Sequence, residues 1–180
     1  MPRPRTFDET QAIRAAVLVF WRHGYPSTGV RALCQAMDIQ SGSFYATFQN
    51  KSSLFVRAIH QYGADMNLPT PSPAAARAYL DRIASDREPT GCLLALSAAE
   101  LPSLSPDGQA AVIHQIQRVD RWLGACLRSH DSRHASVVTT FAWGLQTQHR
   151  AGVPVAALRQ RVHHLVESLH LDEGPLRDDP

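Results

Sequence analysis

Apolar side chains recur along this chain at intervals of three and four, the spacing that places them on one face of a helix. Nowhere do they keep the strict alternation of a half-buried strand. Ile13, Ala16, Val17, Phe20 and Trp21 predict a first helix, opened by the capping box Thr6-Phe7-Asp8-Glu9 and stopped by Gly24. The stretch from Thr28 to Met37 reads as a short second helix, with Val30, Leu33, Ala36 and Met37 as its apolar stripe. Phe44 and Phe48 give a third beyond the turn Asp38-Ile39-Gln40. Asn50 caps a fourth, running from Lys51 to about Asn67 with Leu54, Phe55, Ala58, Ile59 and Tyr62 as its buried stripe.

Pro69, Pro71 and Pro73 then stop the pattern, because their rings and missing N–H groups cannot continue a helix. A helix from about Ala74 to Ala84 follows, then a break at Glu88-Pro89-Thr90-Gly91, then an apolar helix from Cys92 to about Glu100. A long helix is expected from Pro106 to about His130, carrying Val112, Ile116, Val119, Leu123 and Leu127. The last two helices, Ser132 to Ala151 and Pro154 to Leu171, have broad apolar faces. Such a pair either caps the chain's own core or packs against a second copy. The tail from Gly174 to Pro180 has no expected structure, so the whole reads as an all-α protein.

Helices as short as the second and third are marginal in water and must be held by their neighbours, which leaves a polar face free. On the third helix that face carries the hydroxyls of Ser41, Ser43, Tyr45 and Thr47. Two short helices joined by a three-residue turn form a helix-turn-helix, whose second member reads DNA in the major groove. In that placement Ser41 and Gly42 stand at the end that reaches base edges, and Gln40 can read adenine or donate to a phosphate.

The run from Thr28 through Asp38-Ile39 and Gly42-Ser43-Phe44-Tyr45-Ala46-Thr47-Phe48-Gln49-Asn50-Lys51 to Leu54-Phe55 resembles the signature of tetracycline-repressor-type (TetR) transcriptional regulators. The likeness covers Phe7 to Phe55 well and the remainder only in length and helical pattern. Two positions depart from it: Asp38 stands where the turn usually has Gly, and Thr47 where His or Tyr is common. Asp tolerates a left-handed backbone, so the turn is expected to survive; a contact from Thr47 would be shorter or absent.

The resemblance implies a helix-turn-helix DNA-binding domain over residues 1–50 and a helical effector-binding and dimerisation domain over 51–180. It assigns phosphate contacts to Arg31, Tyr45 and Lys51, and dimerisation to a four-helix bundle of the last two helices. It places an effector pocket among the middle helices, with Tyr62, Met66, Trp122 and Phe141 as candidates by family placement only, for each of which plain core packing is the favoured reading. The segment Gly91-Cys92-Leu93 is similar to a subgroup in which some members sense electrophiles or oxidants through that cysteine. Cys92 is therefore expected to be either a sensing thiol at a helix start or a buried structural one. The implied function is an allosteric regulator, most often a repressor, released from a palindromic operator by a small ligand or thiol modification.

Composition adds modest support. Residues 1–65 hold seven Lys and Arg against four Asp and Glu, hence +3, while 66–180 hold eleven against twelve, hence −1. A basic head on a near-neutral body suits phosphate binding. Arg3 and Arg5 form an arm that could lie in a minor groove or stay solvated. The three cysteines, Cys34, Cys92 and Cys126, are too scattered for a disulfide framework or a paired zinc site. Of the histidines, the His130/His134 pair and the His163-His164/His170 group lack carboxylate or thiol partners at ligand spacing, so no metal or cofactor is expected. No nucleotide-loop, nucleophile-elbow or metalloprotease motif occurs, which argues against an enzyme. The alternative is a helical small-molecule-binding or enzymatic protein in which the head is only scaffold. Without an apolar run of about 20 residues or a signal peptide, a cytoplasmic protein with no membrane contact is expected.

Overall fold

The computed structural model describes residues 7–85, 91–127, 132–169 and 171. The Arg3/Arg5 arm, Thr6, Glu88-Pro89-Thr90, His130, His170 and the tail from Gly174 lie outside them. Among the described residues every regular element is helical: α1 (Glu9–His23), α2 (Val30–Ala36), α3 (Ser41–Phe48), α4 (Lys51–Asp65), α5 (Pro73–Ser85), α6 (Leu93–Ala99), a 3₁₀ turn (Leu101–Ser103), α7 (Pro106–Cys126), α8 (Ser132–Arg150) and α9 (Val155–Ser168). The chain forms two compact units, one made of the chain up to Asn67 with Leu96–Gln115, the other of Leu68–Ala95 with the chain from Ile116 onward.

In the first unit, α1 starts at Glu9, two residues beyond the start that the capping box from Thr6 predicts, and Thr6 itself lies outside the described residues. Asp8 is the N-cap, its carboxylate accepting from the N–H groups of Thr10 at 2.8 Å and Gln11 at 3.1 Å. A carboxylate at this place satisfies two orphan donors and meets the positive end of the helix dipole. Ala12, Ile13, Ala16, Val17 and Phe20 form the buried stripe, and it lies against α4. There Phe20 meets Phe55 edge-on at 5.1 Å and Tyr25 meets Phe55 at 4.9 Å, while Trp21 meets Tyr62 at 5.2 Å. Each fully buried phenylalanine contributes about 1.5–3 kcal/mol, so this aromatic seam is the frame on which the smaller helices rest.

Helix α2 begins at Val30, later than expected, because Thr28 turns its hydroxyl back to the carbonyl of Gly24 at 2.5 Å and closes the α1–α2 turn instead of capping. The turn before α3 survives the loss of its usual glycine: Asp38 takes the left-handed conformation with φ 52°. Phe44 and Phe48 are buried beneath α3 at 0% and 1% exposure, 5.8 Å apart. Gln49, also left-handed, ends α3, and Asn50 caps α4 by accepting from the N–H of Ser53 at 2.9 Å.

In the second unit α5 packs on α8 and α9, and α8 on α9. The proline-rich segment is fastened to α7 by the indole N–H of Trp122, which donates to the Pro69 carbonyl at 2.7 Å. Gly91, with φ 65°, lets the chain pass α8 so closely that a Cβ would lie 2.8 Å from the Gln146 carbonyl oxygen. Cys92, Leu93 and Leu94 follow at once into the interior. No helix among the described residues is long and apolar enough to cross a membrane.

Candidate nucleic-acid interface

The surface of α2 and α3 is set by what their apolar residues give up to the interior. With Leu33, Cys34, Phe44 and Phe48 buried, Arg31, Gln40, Ser41, Gly42 and Tyr45 are left exposed, and Thr47 is half-buried. Tyr45 stands out at 54% exposure, its ring edge-on to Phe44 at 5.2 Å. That contact orients an aromatic ring whose hydroxyl faces solvent. Gln40 is the N-cap of α3 but spends no side-chain hydrogen bond on the cap. Gln40 is exposed and its amide is not spent on the first N–H groups of α3, which leaves both suited to phosphate oxygens and base edges. At Gly42 a Cβ would meet nothing within 4 Å, so the helix there is flat and open.

Lys51 sits differently from the other candidates. Its ammonium donates to the carbonyls of Tyr25 and Thr28, both at 3.0 Å, and lies 4.2 Å from the centre of the Tyr25 ring. Burial pushes its pKa below the ordinary lysine value, while the negative charge of Glu100 pulls the other way. An ammonium has three donors. Two of them hold the α1–α2 turn to the start of α4, leaving one for a phosphate.

Around Lys51 the structure gathers residues that periodicity did not single out. Glu100, at the end of α6, accepts from the N–H of Tyr25 at 2.9 Å. The Ser52 hydroxyl meets the Ser105 hydroxyl at 2.5 Å, and Ser105 in turn caps α7 by accepting from the N–H of Gly108 at 3.2 Å. These contacts span up to 75 residues, so no local pattern could have announced them. Gly24 stops α1 as expected, in a positive-φ conformation of 76° that favours glycine, and a Cβ there would displace the Glu100 carboxylate.

The candidates for effector recognition fall into both units. Tyr62 is half-buried against Trp21, and Met66 is buried at the C-cap of α4. In the second unit Trp122 is buried with its indole N–H already bonded, and Phe141 is half-buried on α8. Cys92 is 4% exposed and immediately precedes α6. Near it Tyr79 accepts from the amide of Gln146 at 3.3 Å, and burial drives the Tyr79 hydroxyl pKa far up, the Cys92 thiol adding to the shift. Among the described residues, the amide oxygen of Gln146 and the hydroxyl of Ser97 are buried without hydrogen-bond partners. Cys34 and Cys126 are buried in α2 and α7, and burial raises the Cys126 pKa against the opposing N–H of Ser72. No cluster of three or more metal-ligating side chains occurs among the described residues.

The family model for bacterial regulatory proteins of the tetR family matches residues 12–58, which is α1 through the first half of α4. Two Escherichia coli (strain K12) proteins are similar over 60 residues at 37% identity: the HTH-type transcriptional repressors ComR and BdcR. That match takes in 33% of this chain and spans only 29% of ComR and 30% of BdcR. Over nearly the full length, the chain resembles a solved structure of the TetR family transcriptional regulator CifR, a cysteine mutant complexed with 26-base-pair operator DNA. There the TM-score is 0.76 at 28% identity, covering 92% of this chain and 99% of that one. The reduced form of E. coli NemR shares the fold with a TM-score of 0.75 at 19% identity, covering 88% and 96% of the two chains.

Proposed function

We propose that this chain, whose residues 12–58 match the family model for bacterial regulatory proteins of the tetR family, is a DNA-binding transcriptional regulator that works as a homodimer on a palindromic operator. The observation that carries this reading is the α3 surface. An eight-residue helix, held from below by Phe44 and Phe48, offers Gln40, Ser41, Gly42 and Tyr45 to solvent together. In a major groove, Gln40, Ser41 and Gly42 face bases, while Tyr45 and Arg31 grip phosphates that fix the register. Thr47, half-buried, contributes at most a short contact, and Lys51 supports the turn and keeps one donor for the backbone.

Dimerisation uses α8 and α9. Val137 at 45% and Val155 at 36% exposure are large apolar side chains on these helices left uncovered in the single chain, as an isologous interface requires. The two heads then address half-sites about 34 Å apart, or a multiple of that. Release follows when an effector binds better to a conformation in which the heads no longer match this spacing. Tyr62, Met66, Trp122 and Phe141 are candidate effector contacts, and Cys92 is the candidate for thiol modification. Cys92 has Tyr79 and the half-satisfied amide of Gln146 in its surroundings, groups able to orient a small polar electrophile.

Selection of binding sites from a pool of random duplexes tests the reading, with methylglyoxal or N-ethylmaleimide added afterwards to wild type and to Cys92→Ser. The expected result is a palindromic consensus, from which the reagent releases wild type but not the variant. Absence of any enriched sequence sinks the regulator. Equal release of both proteins, or of neither, removes Cys92 and leaves reversible apolar ligands as the effector class.

A further inference from the structure

We infer that Glu100 is the residue that holds the DNA-binding head in its operator-competent form, acting as a latch between the end of α6 and the α1–α2 turn. The inference rests on the regulator reading and on four observations at one place. The Glu100 carboxylate accepts from the Tyr25 N–H at 2.9 Å. Gly24, the residue before, has no side chain, and any Cβ there would strike the same carboxylate. The Lys51 ammonium is bonded to the carbonyls of Tyr25 and Thr28 on the same turn, at 3.0 Å each, within the electrostatic reach of Glu100. Finally, the Ser52–Ser105 hydroxyl contact ties the first turn of α4 to the loop that follows α6.

Together they make a polar knot in which one anion, just past the end of α6, and one cation, at the start of α4, clamp the six-residue α1–α2 turn. The turn leads directly into α2 and so sets where α2 and α3 sit on the frame of α1 and α4. Hydrogen bonds to charged groups are about twice as strong as neutral ones, so this clamp resists displacement more than the rest of the turn does. Glu100 lies outside the stretch 12–58 that matches the family model, so the head is incomplete without a residue delivered from beyond it. It directly follows the last residue of α6.

The test uses the full-length protein and the duplex selected by wild type, comparing wild type, Glu100→Gln and Glu100→Ala. Three quantities are read: affinity for that duplex, affinity for a random duplex of equal length, and hydrogen exchange at the Tyr25 amide with and without DNA. If the latch holds the competent form, Glu100→Ala lowers selected-site affinity about tenfold, because only a fraction of heads is competent, and leaves random-duplex affinity within about twofold. Glu100→Gln, which keeps an acceptor for Tyr25 but loses the attraction to Lys51, falls between them. By reciprocity the selected duplex slows Tyr25 exchange in wild type and not in Glu100→Ala. Unchanged selected-site affinity in Glu100→Ala overturns the inference, as does a parallel fall on both duplexes, which marks general loss of the head. If wild type selects no duplex, the regulator reading itself fails and the latch fails with it.

Discussion

Lys51→Met separates support of the head from contact with DNA. Methionine keeps most of the aliphatic stem against the Tyr25 ring but removes the ammonium that donates to the Tyr25 and Thr28 carbonyls at 3.0 Å. Hydrogen bonds from a charged donor are typically worth about 1.5–3 kcal/mol, and for this half-buried lysine about 1 kcal/mol each is the reasonable share. The lost cation–π contact adds about 0.5 kcal/mol, and relief of the ammonium's desolvation, visible in its lowered pKa, subtracts a similar amount. The net cost is about 2 kcal/mol, which in a chain of this size lowers the unfolding midpoint by about 4–8 °C. Thermal melts followed by circular dichroism at pH 7 measure it, with hydrogen exchange over residues 24–29 to show that the loss is local to the turn. A variant melting within about 1 °C of wild type would mean that the two carbonyl bonds do not hold the turn, and the structural account of Lys51 would be wrong.

Tyr45→Phe removes one solvent-facing hydroxyl and should leave stability within about 0.5 kcal/mol, while weakening binding to every duplex by a similar factor and leaving base preference intact. Filter binding on selected and random duplexes checks this, and a loss confined to the selected duplex contradicts a phosphate contact. Gly42→Ala has open space for its Cβ and gains helix propensity, so the free protein should be stabilised by about 0.5–1 kcal/mol. Its operator affinity should nevertheless fall if a base edge approaches that position; unchanged affinity would put Gly42 away from the DNA. Asp65 has its pKa lowered chiefly by the hydrogen bond from Arg14, so its contribution is present above the ordinary carboxylate range and lost as pH falls through the lowered value. Urea unfolding of wild type and Asp65→Asn should show a gap that is constant near neutrality and closes in acid, whereas a gap persisting into strong acid would remove this ion pair from the acid response. Leu165→Arg, on the dimerisation helix α9, should turn a sedimenting dimer into a monomer, and an unaffected dimer would move the interface elsewhere.

Much of the head was legible from residue types because its elements are fixed by local chemistry. Phe44 and Phe48 at a spacing of four bury one face of α3 wherever that helix packs, Asn50 caps whatever helix follows it, and Asp38 can adopt the left-handed turn without help. Competition between neighbours was harder to judge. Asp8, read as an acidic residue of the first turn, is itself the cap, because its carboxylate satisfies two N–H groups while meeting the helix dipole. Thr28 resembles a helix start but serves the preceding turn. Least legible were the groups whose partners are far along the chain. Lys51 reads as a phosphate ligand on a surface helix until the carbonyls of Tyr25 and Thr28 are brought to it, and Glu100 has no visible role until folding carries it to Tyr25.

The central claim is that α3 reads bases, and the most direct measurement is a repeat of the duplex selection with Gln40→Ala. Gln40 caps α3 without a side-chain hydrogen bond, so its removal costs the fold little. If its amide reads a base in the major groove, the variant selects the same palindrome with preference lost at one position in each half-site, related by the two-fold axis, worth about 1–3 kcal/mol per position. A consensus identical to that of wild type at every position, with affinity unchanged, would contradict base readout from the start of α3.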